Sequence, residues 1–393
     1  MSKRSFVVLG AVLIQLSLGA VYGWSLFNQP LTEKFGWAKE DILVTFSITI
    51  ATFALFTIFA GKAQDKVGPR LVATAGGILL ATGLFLASRA DTLFQLYLFY
   101  GIIGGAGIGT AYVAPLAASV KWFPEKRGLI SGIAVAGFGG GGLIFKPIIL
   151  ALIERFGVSE TFFYLGIIYL ILVVGGAQLL FDPPKSLIYQ QDGIHSKNND
   201  FSPKEMFATS QFYLMWFMFL FGTISGLLVI GQAVDIGITL ANLSTTSAAN
   251  AVVFIAFFNA AGRIFWGMIS DKIGRKNALK LMYLLTSLTM LYLAIGNLNY
   301  PLFIVAVSIV GFAFGGFLAV FPSKTADYFG LENIGVNYGI MYQAYGISAF
   351  IGPVIANFVP LKQAFIITAI LSLFAIGMTF LLKLPVKSPH YSK

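Results

Sequence analysis

The sequence predicts an all-α integral membrane protein with twelve transmembrane helices in two six-helix halves. Three observations carry that prediction. The chain is 57% hydrophobic and only 11% charged, with a mean hydropathy of +0.83, too apolar for an ordinary soluble domain. It divides into twelve apolar runs, each close to the ~20 residues that one bilayer crossing needs. Its two halves also share motifs at a constant offset.

Spans 1 to 6 are expected at residues 6–28, 41–60, 70–88, 93–114, 128–150 and 160–181. Spans 7 to 12 are expected at 211–232, 246–268, 278–296, 301–321, 336–358 and 362–382. Short polar turns separate them, except for residues 182–210. That stretch holds Pro183 and Pro184, Gln190-Gln191-Asp192-Gly193 and Asn198-Asn199-Asp200, and it reads as a flexible cytoplasmic linker. The expected organisation is therefore a half at 1–181, a linker at 182–210 and a half at 211–393.

The repeat supports the same division. After span 2 the chain reads G-K-A-Q-D-K-V-G-P-R from Gly61, and after span 8 it reads G-M-I-S-D-K-I-G-R-K from Gly267, 206 residues later. At that offset Gly105 maps to Gly311, Gly109 to Gly315 and Phe123 to Phe329. One residue further, Gly128 and Gly132 map to Gly335 and Gly339. Parallel repeats of this kind build transporters with a binding site near mid-membrane, between two rocking halves.

The net charge of +10 follows topology and does not point to nucleic acid. Nineteen of the 26 basic residues fall on the side of the N-terminus and linker, whereas Lys34, Lys39, Arg89, Lys146, Arg155 and Lys362 lie opposite. The positive-inside rule puts both termini in the cytoplasm, in a multi-pass protein of the cell (inner) membrane whose surplus charge meets acidic lipid headgroups. Lys3 and Arg4 precede an apolar run of full span length without a small-residue cleavage site, so no signal peptide is expected. Cysteine is absent and the two histidines, His195 and His390, are far from the spans; no metal or cofactor is expected. Nor is an enzyme: no nucleophile–base pair appears, and the glycines at 101, 104, 105, 107 and 109 lack the strand of a nucleotide-binding turn. Close helix packing explains them. For Gly137 and the glycines at 139–142 in span 5, bending and close packing are equally good explanations.

Arg263 is the one charge set clearly within an apolar run. An ionised guanidinium there costs at least ~2.5–3.5 kcal/mol, and no acidic residue lies in the apolar part of any span. Its repeat counterpart is Thr57, so the charge breaks the symmetry of the halves. Arginine can grip a carboxylate in bidentate fashion, as lysine cannot. An anion from outside is the expected partner; a snorkelling side chain or one satisfied by carbonyls is the plainer alternative. Asn259 lies one turn before Arg263 on the same face. Asp235, at the outer end of span 7, is a protonation candidate, with a wet helix end as the simpler account. Lys146, about 28 Å along span 5 from Arg127, is a candidate cation at the outer mouth or a snorkelling lysine near Glu154.

The twelve spans, the central linker and the doubled G-x-x-x-D-[KR]-x-G loops resemble the major facilitator superfamily. L-G-A-V-Y-G-W-S-L-F at 18–27, K-W-F-P-E-K-R-G at 121–128, G-I-A-V-A-G-F-G at 132–139, Arg263 and F-P-S-K-T-A-D-Y-F-G at 321–330 narrow the resemblance. They are similar to the oxalate–formate exchangers and their monocarboxylate-transporter relatives. The resemblance implies the twelve-helix facilitator fold and a conformational latch in which Asp65, Arg70, Asp271 and Arg275 hold helix starts of the opposite half. It implies carboxylate binding by Arg263, with Tyr22 and Tyr112 lining the cavity, although tyrosines also populate membrane interfaces. In animal monocarboxylate transporters an aspartate resembles Asn259 in position and takes part in proton coupling; here the residue is neutral. In the oxalate exchanger a lysine occupies what looks like the position of Tyr345, and losing that cation argues for a monocarboxylate. Gln343, Tyr342 and Gln15 are polar enough to reach the cavity, and Phe317 and Phe321 are either its walls or ordinary packing.

The expected function is secondary active transport of a small monocarboxylate (lactate, pyruvate, formate or acetate type) by alternating access. The expected partners are that carboxylate, protons or a counter-anion, and the lipid bilayer, with the protein as a monomer. A dicarboxylate exchanger of the oxalate/formate type, or a non-transporting carboxylate sensor with the same fold, is the alternative.

Overall fold

The computed structural model describes residues 3–184 and 200–385; the linker segments at 190–193 and 198–199, together with His195 and His390, lie outside the described residues. Helices account for the regular structure among the described residues. Ten are long and apolar enough to cross a membrane, including Lys3–Gly23 (span 1), Lys39–Val67 (span 2), Ser210–Ala241 (span 7) and Tyr300–Phe329 (span 10). One of the ten, Arg127–Gln178, is broken at Gly157, which sits at φ +78°, and so contains spans 5 and 6. Span 11 runs as two helices, Ile334–Met341 and Gln343–Phe358, meeting at Tyr342. The total is the expected twelve. Span 1 is followed by a shorter helix, Ser25–Phe35, so the chain at this end runs beyond the expected boundary at residue 28.

The doubled loop has a conformational reason. Gly68 and Gly274, the second glycines of the two copies, take φ of +86° and +85°, where a side chain would be strained. They turn the chain from span 2 (Lys39–Val67) into span 3 (Pro69–Ala87), and from span 8 (Thr245–Ile273) into span 9 (Arg275–Ile295).

The halves meet along two glycine seams related by the repeat. On span 5, a Cβ at Gly128 would strike the carbonyl of Gly267, and one at Gly132 would strike the carbonyl of Arg263. On span 11, a Cβ at Gly335 would sit 2.7 Å from the Gly61 carbonyl, and one at Gly339 would sit 2.5 Å from that of Thr57. Span 8 thus lies against span 5, and span 2 against span 11, backbone to backbone. Two glycines of span 5 pack in the same way on span 1: Gly137 and Gly141 abut the carbonyls of Val12 and Leu16, whereas a Cβ at Gly140 would meet nothing. The helix runs without a break until Gly157.

The linker ends in folded structure. The Asp200 carboxylate accepts the N–H groups of Leu331 and Glu332 at 2.7 and 3.1 Å, and the Phe201 carbonyl accepts the Asn337 amide at 2.9 Å. Ser202 and Glu205 then form a reciprocal cap on the short helix Pro203–Phe207. The expectation of a flexible segment throughout 182–210 is corrected here for 200–207. Large apolar side chains such as Phe59, Leu71, Ile171 and Phe374 are exposed on the outside of the bundle, as lipid-facing surfaces require.

Candidate functional site

Arg263 is fully buried at 0% exposure, one turn below Asn259 on the uninterrupted helix of span 8. Its Nε donates to Asn259 Oδ1 at 2.8 Å and its Nη1 to the Val135 carbonyl of span 5 at 2.6 Å. Nη2 has no hydrogen-bond partner, and no carboxylate forms an ion pair with the guanidinium among the described residues. The Phe138 ring lies beneath it, 5.9 Å from Cζ to the centroid, and the quadrupole of that face favours a cation. Gly139 completes the fit, because a Cβ there would crowd Arg263 Nε at 3.1 Å. The guanidinium is oriented by two fixed acceptors and keeps one donor edge for something else. Leaving a buried charged donor unmet costs at least ~1–3 kcal/mol.

Aromatic side chains close the neighbourhood. Tyr342 lies 4.8 Å from Tyr112, 4.9 Å from Tyr345 and 5.5 Å from Phe53, centroid to centroid. Tyr22 of the first half and Tyr345 of the second share a hydrogen bond of 2.8 Å between hydroxyls. The Tyr338 hydroxyl, buried in the same cluster, has no partner. Beside this layer lies a cavity of about 400 Å³, lined from both halves by Tyr22, Gly139, Lys146, Asn259 and Phe314 among others. It is walled by the early residues of spans 2 and 8, Leu43, Phe46, Val252 and Val253, and therefore opens away from the end that carries Asp65 and Asp271.

The expected binding residues separate into two groups. Tyr22, Asn259 and Lys146 line the cavity. Arg263, Tyr112, Tyr342 and Tyr345 are buried, each exposed by 1% or less, with Asn259 and Gly139 standing between the cavity and the guanidinium. Gln343 is a correction. Its amide nitrogen donates to the carbonyls of Ala54 and Gly339 and to Thr57 Oγ1, at 2.6, 2.8 and 3.2 Å. It ties span 11 to span 2 and does not face the cavity. Gln15 likewise donates to the Tyr112 carbonyl at 3.0 Å, while Phe317 packs at a tilt on Tyr283 and Phe321 stacks on Phe219, both within their own half. Lys146 forms no ion pair with Glu154.

At the opposite end two carboxylates cross between the halves. Asp65 accepts the N–H groups of Gly335 and Val336 at 2.9 and 2.8 Å. Asp271 accepts those of Gly128 and Leu129 at 2.9 and 2.8 Å. Each carboxylate caps the positive end of a helix from the other half. Arg275 supports the second contact, donating to Asp271 and, through Nε, to Asp327 at 3.1 Å. Arg70 does not join the first: its guanidinium donates to the Gln178 carbonyl of its own half at 2.9 Å, because Pro69 starts span 3 with that side chain facing outward. Sequence reasoning also missed Arg127, which crosses to Asp327 at 3.0 Å. It missed Lys324 as well, exposed by only 1% within span 10, with its ammonium over the Tyr328 ring at 4.3 Å. The signal lay in F-P-S-K-T-A-D at 321–327, which carries Lys324 and the Asp327 that Arg127 reaches from K-W-F-P-E-K-R-G.

The Major Facilitator Superfamily profile matches residues 7–353 and 224–393 of the chain. The chain belongs to the major facilitator superfamily. This superfamily member is therefore a multi-pass membrane transporter and not an enzyme. It is 38% identical over 346 residues to the uncharacterized MFS-type transporter YhjX of Escherichia coli (strain K12), covering 88% of this chain and 86% of that one. It is 31% identical to the oxalate:formate antiporter of Oxalobacter formigenes, covering 95% and 90% of the two chains. The apicoplast pyruvate carrier 1 of Toxoplasma gondii is 27% identical, over 85% and 80%. In fold it is similar to the facilitator transporter FucP in the outward conformation, with a TM-score of 0.75 at 14% identity, covering 97% of this chain and 99% of that one.

Proposed function

We propose that this facilitator carries small monocarboxylate anions, of the lactate, pyruvate, formate or acetate type, across the cell membrane by alternating access. The observation that carries this reading is the buried Arg263 Nη2 with no partner. A carboxylate oxygen supplies the missing acceptor and the missing charge together. Asn259 and the Val135 carbonyl hold the guanidinium in plane, so little ordering remains when the anion arrives. Tyr22, Tyr112, Tyr342 and Tyr345 shape the space around it and supply neutral donors, which suits one carboxylate better than two.

The termini and linker lie on the cytoplasmic side in this reading, as the positive-inside rule requires, and the Asp65 and Asp271 contacts form the cytoplasmic latch. Passage through an occluded state with an empty Arg263 encloses an unneutralised cation and is costly. Bound anion removes that cost, so the halves rock when loaded. Exchange against a counter-anion follows directly; symport requires a proton carrier besides the neutral Asn259. The protein works as a monomer with one site between its halves.

A second reading, dicarboxylate exchange, has one observation in its favour: the 31% identity to an oxalate:formate antiporter over 95% of the chain. Counterflow in proteoliposomes with labelled pyruvate, lactate, formate, acetate and oxalate separates the two, and a pH gradient separates symport from exchange. We expect accumulation of a labelled monocarboxylate against an internal monocarboxylate pool. Oxalate-only exchange supports the second reading, and no movement of any carboxylate contradicts both.

A further inference from the structure

The cavity beside the Arg263 layer carries a second cation that the mechanism above leaves unused. Among the described residues on its wall, Lys146 is the one charged side chain, set among apolar groups such as Leu26, Leu143, Leu227 and Phe314. It forms no ion pair with a described residue. Gly139, Gly142 and Lys146 stand at positions i, i+3 and i+7 of one helix and share a face. Gly139 abuts the Arg263 guanidinium and Gly142 abuts Tyr22. Lys146 therefore sits two turns, roughly 10 Å, beyond the buried arginine along the same wall. A lysine that merely snorkels turns its ammonium to the headgroups and covers lipid-facing surface with its stem. Lys146 is exposed and is part of the chamber wall.

We propose that Lys146 forms a staging subsite for a carboxylate anion, which holds the anion in the cavity before it passes Tyr22 and Asn259 to Arg263. The subsite rests on the reading of Arg263 as a carboxylate receptor. Apolar walls, with no acid among the described lining residues, focus the field of a single ammonium on the chamber and raise the local anion concentration. The choice of side chain fits a transient station. Lysine offers a mobile point charge, whereas the planar fork at Arg263 offers fixed bidentate geometry. The anion is drawn first to the looser cation and then to the better-matched one.

The test uses the absence of cysteine from the chain. Ser25, exposed on the same cavity wall, is replaced in Ser25→Cys to give a single reporter thiol. Its reaction rates are measured with a negatively and a positively charged methanethiosulfonate, in the otherwise native chain and with Lys146→Gln, Lys146→Arg or Arg263→Lys. We expect Lys146→Gln to lower the anionic-to-cationic rate ratio about fivefold, as one charge several ångströms away in water dictates. Lys146→Arg keeps the ratio, and molar salt removes the difference. Millimolar pyruvate or oxalate slows the anionic reagent in the Lys146 protein and not in Lys146→Gln. In proteoliposomes Lys146→Gln raises the half-saturating pyruvate concentration about fivefold on the cavity side alone, with the effect on half-saturation and not on maximal rate. An unchanged rate ratio, or pyruvate and oxalate protection that survives Lys146→Gln, overturns the subsite. The reporter does not depend on turnover. A ratio that responds to Lys146 while transport is insensitive to Arg263→Lys leaves an anion subsite at Lys146 but removes Arg263 as its destination, and with it the staging role; the reverse pattern removes the subsite alone.

Discussion

Arg263 is held by one side chain from its own helix and one carbonyl from the other half, and the charge itself is answered by neither. Replacing it with lysine keeps the charge but loses the in-plane fork, so both Arg263→Ala and Arg263→Lys are expected to reduce carboxylate uptake at least ~100-fold with expression intact. Counterflow on purified, folded variants checks this. Tyr345→Lys adds a second cation one hydroxyl contact away from Tyr22. It should raise the ratio of oxalate to lactate binding about tenfold or more, since a second carboxylate then meets its own partner; competition against labelled pyruvate reads the ratio. Arg263 stood out in the sequence because a charge inside an apolar run is expensive wherever the helix points, and the structure buries it. Its acceptors did not stand out. Val135 enters through a backbone carbonyl 128 residues away, and no residue type announces that. Gln343 was misplaced for the related reason that polarity within a span says nothing of direction, and its amide turned to Ala54 and Thr57.

Between elements, the decisive contacts are backbone to backbone. Gly128 and Gly335 let spans 5 and 11 approach spans 8 and 2 closely enough for the Asp271 and Asp65 carboxylates to reach two consecutive N–H groups each. Gly335→Ala places a methyl 2.7 Å from both the Gly61 carbonyl and Asp65 Oδ1. Something must shift there. We expect the variant to lose the Asp65 contact while the helix itself gains propensity. Transport should fall about tenfold or more, with thermal stability altered by only a few degrees, and a melting curve beside an uptake assay distinguishes this from unfolding. The repeat in the sequence marked Gly128 and Gly335, like Asp65 and Asp271, as matching places in the two halves, but not that these residues meet. Arg70 belonged to the same motif and yet bonds within its own half. Its counterpart Lys276 is a different side chain, and motif membership alone could not say which charges cross.

For the molecule as a whole, two chemically different layers separate the compartments: a ladder of carboxylate-to-helix contacts at one end and an aromatic layer crossed by the Tyr22–Tyr345 bond beside the cavity. Charge-assisted bonds of this kind contribute ~1.5–3 kcal/mol each. Asp271→Asn, which keeps the shape and removes the charge, should therefore move the population toward the state open at the latch end by about tenfold. Single-cysteine accessibility at the two ends, in the naturally cysteine-free chain, measures that shift. Twelve crossings and the matched positions of Asp65 and Asp271 could be read from apolar runs and the 206-residue repeat, while their role as a latch came only with the family resemblance. The depth of Arg263 below the cavity could not, because it depends on where Asn259 and Gly139 stand in three dimensions.

The central claim is that the free edge of Arg263 receives a carboxylate. Thermal unfolding of the purified protein, with and without millimolar pyruvate, lactate or oxalate, tests it without requiring turnover. The account predicts that at least one of these anions raises the midpoint of the wild type by several degrees and leaves that of Arg263→Gln unmoved, while chloride moves neither. Equal stabilisation of both proteins, or of neither, contradicts it.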